Sequence, residues 1–314
     1  MRIGAKYKFM SAVAFMFLLP FLILSMHFAR GYRELEKMDA LGRMGLRTRG
    51  AANEAAGLLT YGYDVSDLAR SRSFLSASAE ERKKILEGRI KTAPGIFSEL
   101  AVLSPSGKEI ARTGASSGQG NRDHSGTELF RKVSAGRVPA GTVEYGKYTP
   151  PVLVMLTPLF KAGGERAEGY LLARMSLARL GEAVRSMGRS SYGDLGVLDA
   201  GGRVIGDSMG YSIMSPGIKA PGEVLRAVGT ASARGLEDLR TGGGSNGRPL
   251  LVSVSRISGT GWWVFETADA EARVNRAYSF WVRRVILIGV ALIIFFSFAS
   301  YRLAVRWLAG GTHV

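Results

Sequence analysis

Apolar and polar positions alternate with three different periods along this chain. From Phe9 to Ala29 almost every position is apolar, FMSAVAFMFLLPFLILSMHFA. At about 1.5 Å rise per residue this run covers roughly 30 Å, the hydrocarbon thickness of a bilayer. A second run, Val285–Ser300 (VILIGVALIIFFSFAS), carries no charge and extends toward Val305. Residues 30–70 change to helical spacing: Leu35, Met38 and Leu41, then Ala52, Ala55, Ala56 and Leu59. Gly42, Gly45, Gly50 and Gly57 weaken that helix by about 1 kcal/mol each where exposed, so tertiary packing has to hold it. A further helix is predicted over Ala79–Lys91, with Ser78 as N-cap and Glu80 and Glu81 in its first turn.

Strand patterns follow. Phe97–Leu103 (FSELAVL) reads as a strand, Ser104-Pro105-Ser106-Gly107 as a turn, and Lys108–Arg112 as the returning strand. A polar loop is expected over Thr113–Gly126 and a short helix over Thr127–Ala135. Strands are expected at 141–147, 152–160 and 168–175, with Pro158 marking an edge or a bulge, and then a helix over Ser176–Met187. The theme then recurs. Asp194–Leu198, the turn Asp199-Ala200-Gly201-Gly202 and Arg203–Ile205 form a second hairpin. A short helix is expected at Gly222–Val228, and the glycine-rich Arg240–Arg248 reads as a loop. A hairpin joins Leu250–Ile257 to Trp262–Thr267, and a helix from about Ala268 leads into the second apolar run. Two copies of one mixed α/β unit are the expected organisation.

The flanks give a topology. Arg2, Lys6 and Lys8 precede the first run, and Arg302 and Arg306 end the second, so both ends are expected in the cytoplasm. Tyr278, Trp281, Tyr301 and Trp307 suit interfacial belts. A cleaved signal peptide is the rival for the first run, but Met26-His27-Phe28-Ala29-Arg30 is a poor cleavage site. The expected divisions are a cytoplasmic 1–8, a span at 9–29, an extracytoplasmic region at 30–278, a span at 281–305 and a tail at 306–314.

Composition narrows the chemistry. The formal net charge is +16, spread along the chain without a long basic run, and no nucleic-acid motif accompanies it. No nucleic-acid partner is therefore expected. With no cysteine, disulfide scaffolds, thiolate metal sites and cysteine nucleophiles are excluded. Histidine occurs only at His27, His124 and His313, which gives no paired metal ligands. Asp123-His124-Ser125 reads as a polar loop capping the next helix rather than as a nucleophile and its base. Gly242-Gly243-Gly244 lacks the Lys-Ser/Thr of a phosphate loop and reads as a turn. Neither a catalytic centre nor a cofactor nor a metal is expected.

In that order the motifs resemble double Cache sensor domains over roughly residues 30–278. LSPSGKEIART resembles the family's first hairpin, and DHSGTELFRKVSAG its helix before the central strands. PVLVMLTPLFKAGGERAEGYLLARMSLARL resembles its long hairpin and exit helix, and GTGWWVFETADAEA its last strand. The resemblance implies an α+β fold: two PAS-like modules packed along a long N-terminal helix and flanked by two transmembrane helices. The membrane-distal module would be about 71–187 and the proximal about 188–268. It implies a homodimeric inner-membrane receptor that senses a small ligand, anionic ones included, and signals to a cytoplasmic output or partner. The distal module would bind the ligand. Arg112 and Arg174 are candidate carboxylate clamps and Asp123 an ammonium acceptor, with Phe130, Tyr145, Tyr148 and Tyr170 as walls. The amino-acid-binding form of the family has Arg followed by Trp and Tyr, then Tyr-x-Asp, and that pattern is not found here. Only Tyr301–Val314 follows the second span, too little for an output domain. The output is expected on a partner, or on a longer histidine kinase or diguanylate cyclase. An envelope module that binds protein is the other alternative.

Overall fold

A computed structural model describes residues 3–310 except 115–121, 137, 162–163, 165, 189–192 and 244–249. His313, half of the expected polar loop (115–121) and the end of the glycine-rich segment lie outside these residues. The chain divides into two compact units. One holds α1 up to Arg43 and the chain from Asp269 onward; the other holds Met44–Ser245 and Leu250–Ala268.

The first unit is helical. It contains the N-terminal part of α1 (Ile3–Arg70), and its C-terminal part is the helix Ala270–Gly310, α8. Among the described residues no helix is long and apolar enough to cross a membrane. Much of 9–29 and part of 281–305 consist of residues whose side chains lie outside that set. Most described side chains of α8 between Val285 and Phe298 are apolar and exposed, among them Leu287 (68%), Ile294 (64%) and Phe295 (64%).

The second unit contains both expected α/β copies. In the first copy, β1 (Phe97–Leu103) and β2 (Glu109–Gly114) form a hairpin and α4 (Glu128–Gly136) follows. Then come β3 (Ala140–Glu144), β4 (Val152–Phe160) and β5 (Ala167–Ser176). Helices α2 (Arg72–Ser76) and α3 (Ala79–Thr92) precede the copy, and α5 (Ala178–Gly188) leaves it. In the second, β6 (Gly193–Leu198) and β7 (Val204–Asp207) are followed by α6 (Tyr211–Met214) and α7 (Gly222–Ala233). Strands β8 (Asp238–Gly243), β9 (Leu250–Arg256) and β10 (Trp263–Asp269) complete it. The sheet orders are β2-β1-β5-β4-β3 and β7-β6-β10-β9-β8, the same topology twice.

One core joins α1 to both sheets. Ala51, Ala52, Ala55 and Leu59 of α1 pack with Leu100 and Val102 of β1, Leu171 of β5, and Val197 and Val264 of the second sheet. This burial holds the glycine-rich helix together. At Gly45 a Cβ would run into the Arg240 side chain, so glycine there permits close approach to β8. Each sheet turns its other face to its own helix. Phe130 and Val133 of α4 cover the first, and Val224, Ala227 and Ala231 of α7 the second.

Two expectations need correction. The glycine-rich Arg240–Arg248 was expected as a loop, but its described start belongs to β8, which pairs antiparallel with β9 from Asp238↔Ser255 to Gly243↔Leu250. Pairing on β9 supplies the hydrogen bonds that glycine's weak strand preference does not favour. The helix at Gly222 runs to Ala233, beyond the expected Val228, because Ala227 and Ala231 bury a second apolar turn. Pro158 stands where β3 no longer covers β4: β3 pairs with Val152–Leu156 only. At that point β4 has lost β3 as a neighbour, which is where a strand tolerates a residue without an N–H, and a register shift follows at Leu159/Phe160.

Candidate functional site

Strand alternation sorts the first sheet's side chains onto two faces. Leu100, Val102, Leu171 and Ala173 face α1. Ala101, Leu103, Val154, Tyr170 and Leu172 face α4. Arg112 pairs directly with Ala101, and Arg174 with Glu99, so both arginines belong to the α4 face. A charged row therefore crosses the neighbouring strands β2, β1 and β5.

Glu109 and Glu99 anchor one end of this row. The Glu109 carboxylate accepts from the Arg112 guanidinium, from the Arg122 backbone N–H at 2.9 Å, and lies 2.7 Å from His124 Nε2. Burial pushes its pKa up, but the hydrogen bonds from Arg112, Arg122 and His124 outweigh it and hold the carboxyl below its ordinary range. Glu99, only 2% exposed, has Arg112 Nε at 3.9 Å and Arg122 Nη1 at 3.8 Å. At the other end, Arg174 Nη2 donates to Glu144 Oε2 at 2.5 Å and Nη1 to Oε1 at 3.4 Å. Arginines 112, 122 and 174 thus alternate with glutamates 99, 109 and 144. The ends differ in access: the Arg112 side chain is 4% exposed, that of Arg174 24% and that of Glu144 50%.

The other candidates divide. Phe130 and Tyr170 meet edge to face, centroids 4.9 Å apart at 66°, beneath α4. Burial raises the Tyr170 pKa. Phe130, Tyr170, Arg112 and Arg174 therefore share one face. Asp123 does not join them. Its side chain is exposed and accepts the Ser125 backbone N–H at 2.9 Å, while its backbone forms an isolated antiparallel β-bridge with that of Lys108. The cap of α4 comes instead from Thr127, whose Oγ1 accepts the Phe130 N–H at 3.2 Å. Tyr148 is 69% exposed at φ 61° in the β3–β4 connection, with Lys147 Nζ 5.2 Å from its ring centroid. Tyr145 turns to the second copy and donates its hydroxyl to Asp199 Oδ2 at 2.9 Å. Burial, then the bond to Asp199, pushes its pKa far up.

Glu99, Glu109, Glu144, Arg122 and His124 were missed as site residues. The signal for Glu99 was present, a lone carboxylate inside the apolar strand FSELAVL. Among the described residues no group of His, Cys, Asp and Glu is arranged to hold a metal.

The sequence matches no family profile and no curated protein. Solved structures do match. The sensory domain of the Campylobacter jejuni chemoreceptor Tlp3 (CcmL) aligns with TM-score 0.56 at 12% identity, over 78% of this chain and 99% of that one. The ligand-binding domain of the Pseudomonas fluorescens chemoreceptor CtaA, in complex with L-isoleucine, gives 0.52 at 13%, over 78% and 98%. An extracellular ligand binding receptor from Desulfohalobium retbaense gives 0.54 at 13%. It covers 72% of this chain, which spans only 40% of that one. The fold is that of extracellular ligand-binding sensor domains. Its two like modules along one helix are the arrangement that the resemblance to double Cache domains implies.

Proposed function

We propose that this chain is a membrane-anchored receptor whose first module binds a small carboxylate-bearing ligand on the α4 face. The observation that carries this reading is the asymmetry of the charged row. Arg112 is buried and held by carboxylates. Arg174 lies at the accessible end, and its partner Glu144 is half exposed. An ion pair this exposed is worth about 0–1 kcal/mol, so a ligand carboxylate can replace Glu144 at little cost. A bidentate carboxylate–guanidinium pair on a partly buried arginine is stronger. Because the row alternates in sign, a zwitterion fits it as well as a simple acid. CtaA binds L-isoleucine with the same fold, although the Arg-Trp-Tyr pattern is missing here.

The exposed apolar girdle of α8 supports a span over about 281–305, and the run Phe9–Ala29 supports a second span in α1. Apolar side chains such as Leu287 and Phe295 exposed along one helix suit lipid. The ligand-binding unit would then be extracytoplasmic, with α1 and α8 carrying the signal to an output on a partner or further domain.

The test is calorimetric titration of the full chain in detergent with organic acids and α-amino acids. Saturable binding by one class, weakened at least tenfold by Arg174→Ala with an unchanged melting curve, supports the reading. Binding that Arg174→Ala leaves intact, or no binding across both classes, refutes the assigned face. Resistance of the chain to carbonate extraction from membranes tests the anchor.

A further inference from the structure

The opposite face of the first sheet opens on a separate cleft of about 490 Å³. It lies between α1, strands β3 and β4, and two turns of the second module, Asp199–Gly201 and Gly259–Trp262. Its size is within the range of small-molecule sites. Alternation separates it from the charged row: Gly141 pairs with Met155 and Val143 with Leu153, on the α1 side.

The chemistry of the wall narrows the occupant. No lysine or arginine is among the described residues lining it, so a carboxylate or phosphate finds no cation there. The one carboxylate, Asp199, is already satisfied. Its Oδ1 accepts the N–H groups of Gly201 at 2.8 Å and Arg203 at 2.9 Å, and its Oδ2 accepts from Tyr145. It repels anions and holds no strong claim on a cation. What remains are hydroxyls and glycine backbone. Ser66 Oγ and Thr157 Oγ1 lie 3.3 Å apart and face the cleft, whereas Thr260 Oγ1 already donates to the Ile257 carbonyl at 2.9 Å and accepts the Trp262 N–H at 3.0 Å. Hydroxyls both donate and accept. Met155 and Trp262 add apolar lining.

We infer that this cleft is a second ligand site, for a neutral, hydroxyl-rich small molecule of the size of a monosaccharide or cyclitol. Such a ligand matches paired hydroxyls with its own and lays its C–H surface on the apolar lining. It touches α1 and both modules at once, so it sets their mutual packing independently of a ligand on the α4 face.

The experiment is a titration of the full chain in detergent with D-glucose, D-galactose, D-ribose and myo-inositol, read by tryptophan emission and melting temperature. Trp262 in the wall makes the emission a local reporter. The expected result is a saturable change with at least one of the four. Gly141→Leu, whose Cβ meets Leu153 Cδ1 at 3.3 Å, fills the cleft and is expected to weaken binding at least tenfold. Ser66→Ala is expected to weaken it several-fold while folding normally, and it decides the matter if Gly141→Leu does not fold. Arg174→Ala is expected to leave this binding unchanged, which separates it from the carboxylate site. No saturable response to any of the four, or wild-type affinity in Ser66→Ala, overturns the proposal.

Discussion

At the scale of single residues, charge placement dominates. Glu109 accepts from three groups, and its pKa in the folded chain lies below the ordinary glutamate value. The stability from this group is fully present above that value and is lost as pH falls through the lower, folded pKa. The melting temperature of Glu109→Gln is therefore expected to lie below wild type at neutral pH. It should fall less steeply than wild type under acid, as scanning calorimetry between pH 7 and 3 would read. A second buried charge lies on the other module. Glu266, fully buried, accepts from Arg47 Nε at 3.0 Å and Nη2 at 2.5 Å. Removing Arg47 strands a carboxylate in the core. Arg47→Met is expected to cost about 3–5 kcal/mol in denaturant unfolding, and Arg47→Met with Glu266→Leu much less. Arg112 and Arg174 were legible as site candidates because arginine inside an apolar strand pattern stands out. The destination of Tyr145 was not, since its partner lies 54 residues away in the other module.

At the scale of elements, what is local was legible and what depends on a partner was not. The N-cap predicted at Ser78 is present, and the structure extends it to a full capping box: Ser78 Oγ accepts the Glu81 N–H, and Glu81 Oε2 accepts the Ser78 N–H at 2.8 Å. Ser78→Ala is expected to destabilise the chain by about 1 kcal/mol, measured by urea unfolding. The strand β8 was hidden because its glycines signal a turn, while the pairing that overrides them comes from β9. The repeat held the missing clue, since the second copy needs a counterpart to β3. At the end of β2, Gly114 adopts φ +115° with the Ser98 carbonyl where a Cβ would stand. Gly114→Ala is expected to lower the melting temperature by several degrees, whereas Gly50→Ala, with open space around it, is expected to raise it slightly.

At the scale of the whole molecule, the like topology of the two sheets was readable from recurring hairpins, but the shared core around α1 was not, since it joins residues far apart in sequence. The modules are also tied by the Tyr145–Asp199 hydrogen bond. Tyr145→Phe is expected to keep the fold and to loosen this tie, seen as faster amide exchange in the Asp199–Arg203 turn. Lower down, Thr48 of α1 meets β9 through hydroxyls alone, with Ser253 Oγ at 3.0 Å and Ser255 Oγ at 2.9 Å, all buried. Each of the three oxygens can give or take a proton. Thr48 is thus held by two neighbouring hydroxyls of one strand, each bond worth roughly 1 kcal/mol. With Arg47 fixed on Glu266 one residue earlier, the network works as a key: it sets where along β9 the helix is seated, a register that non-directional apolar packing alone would leave loose.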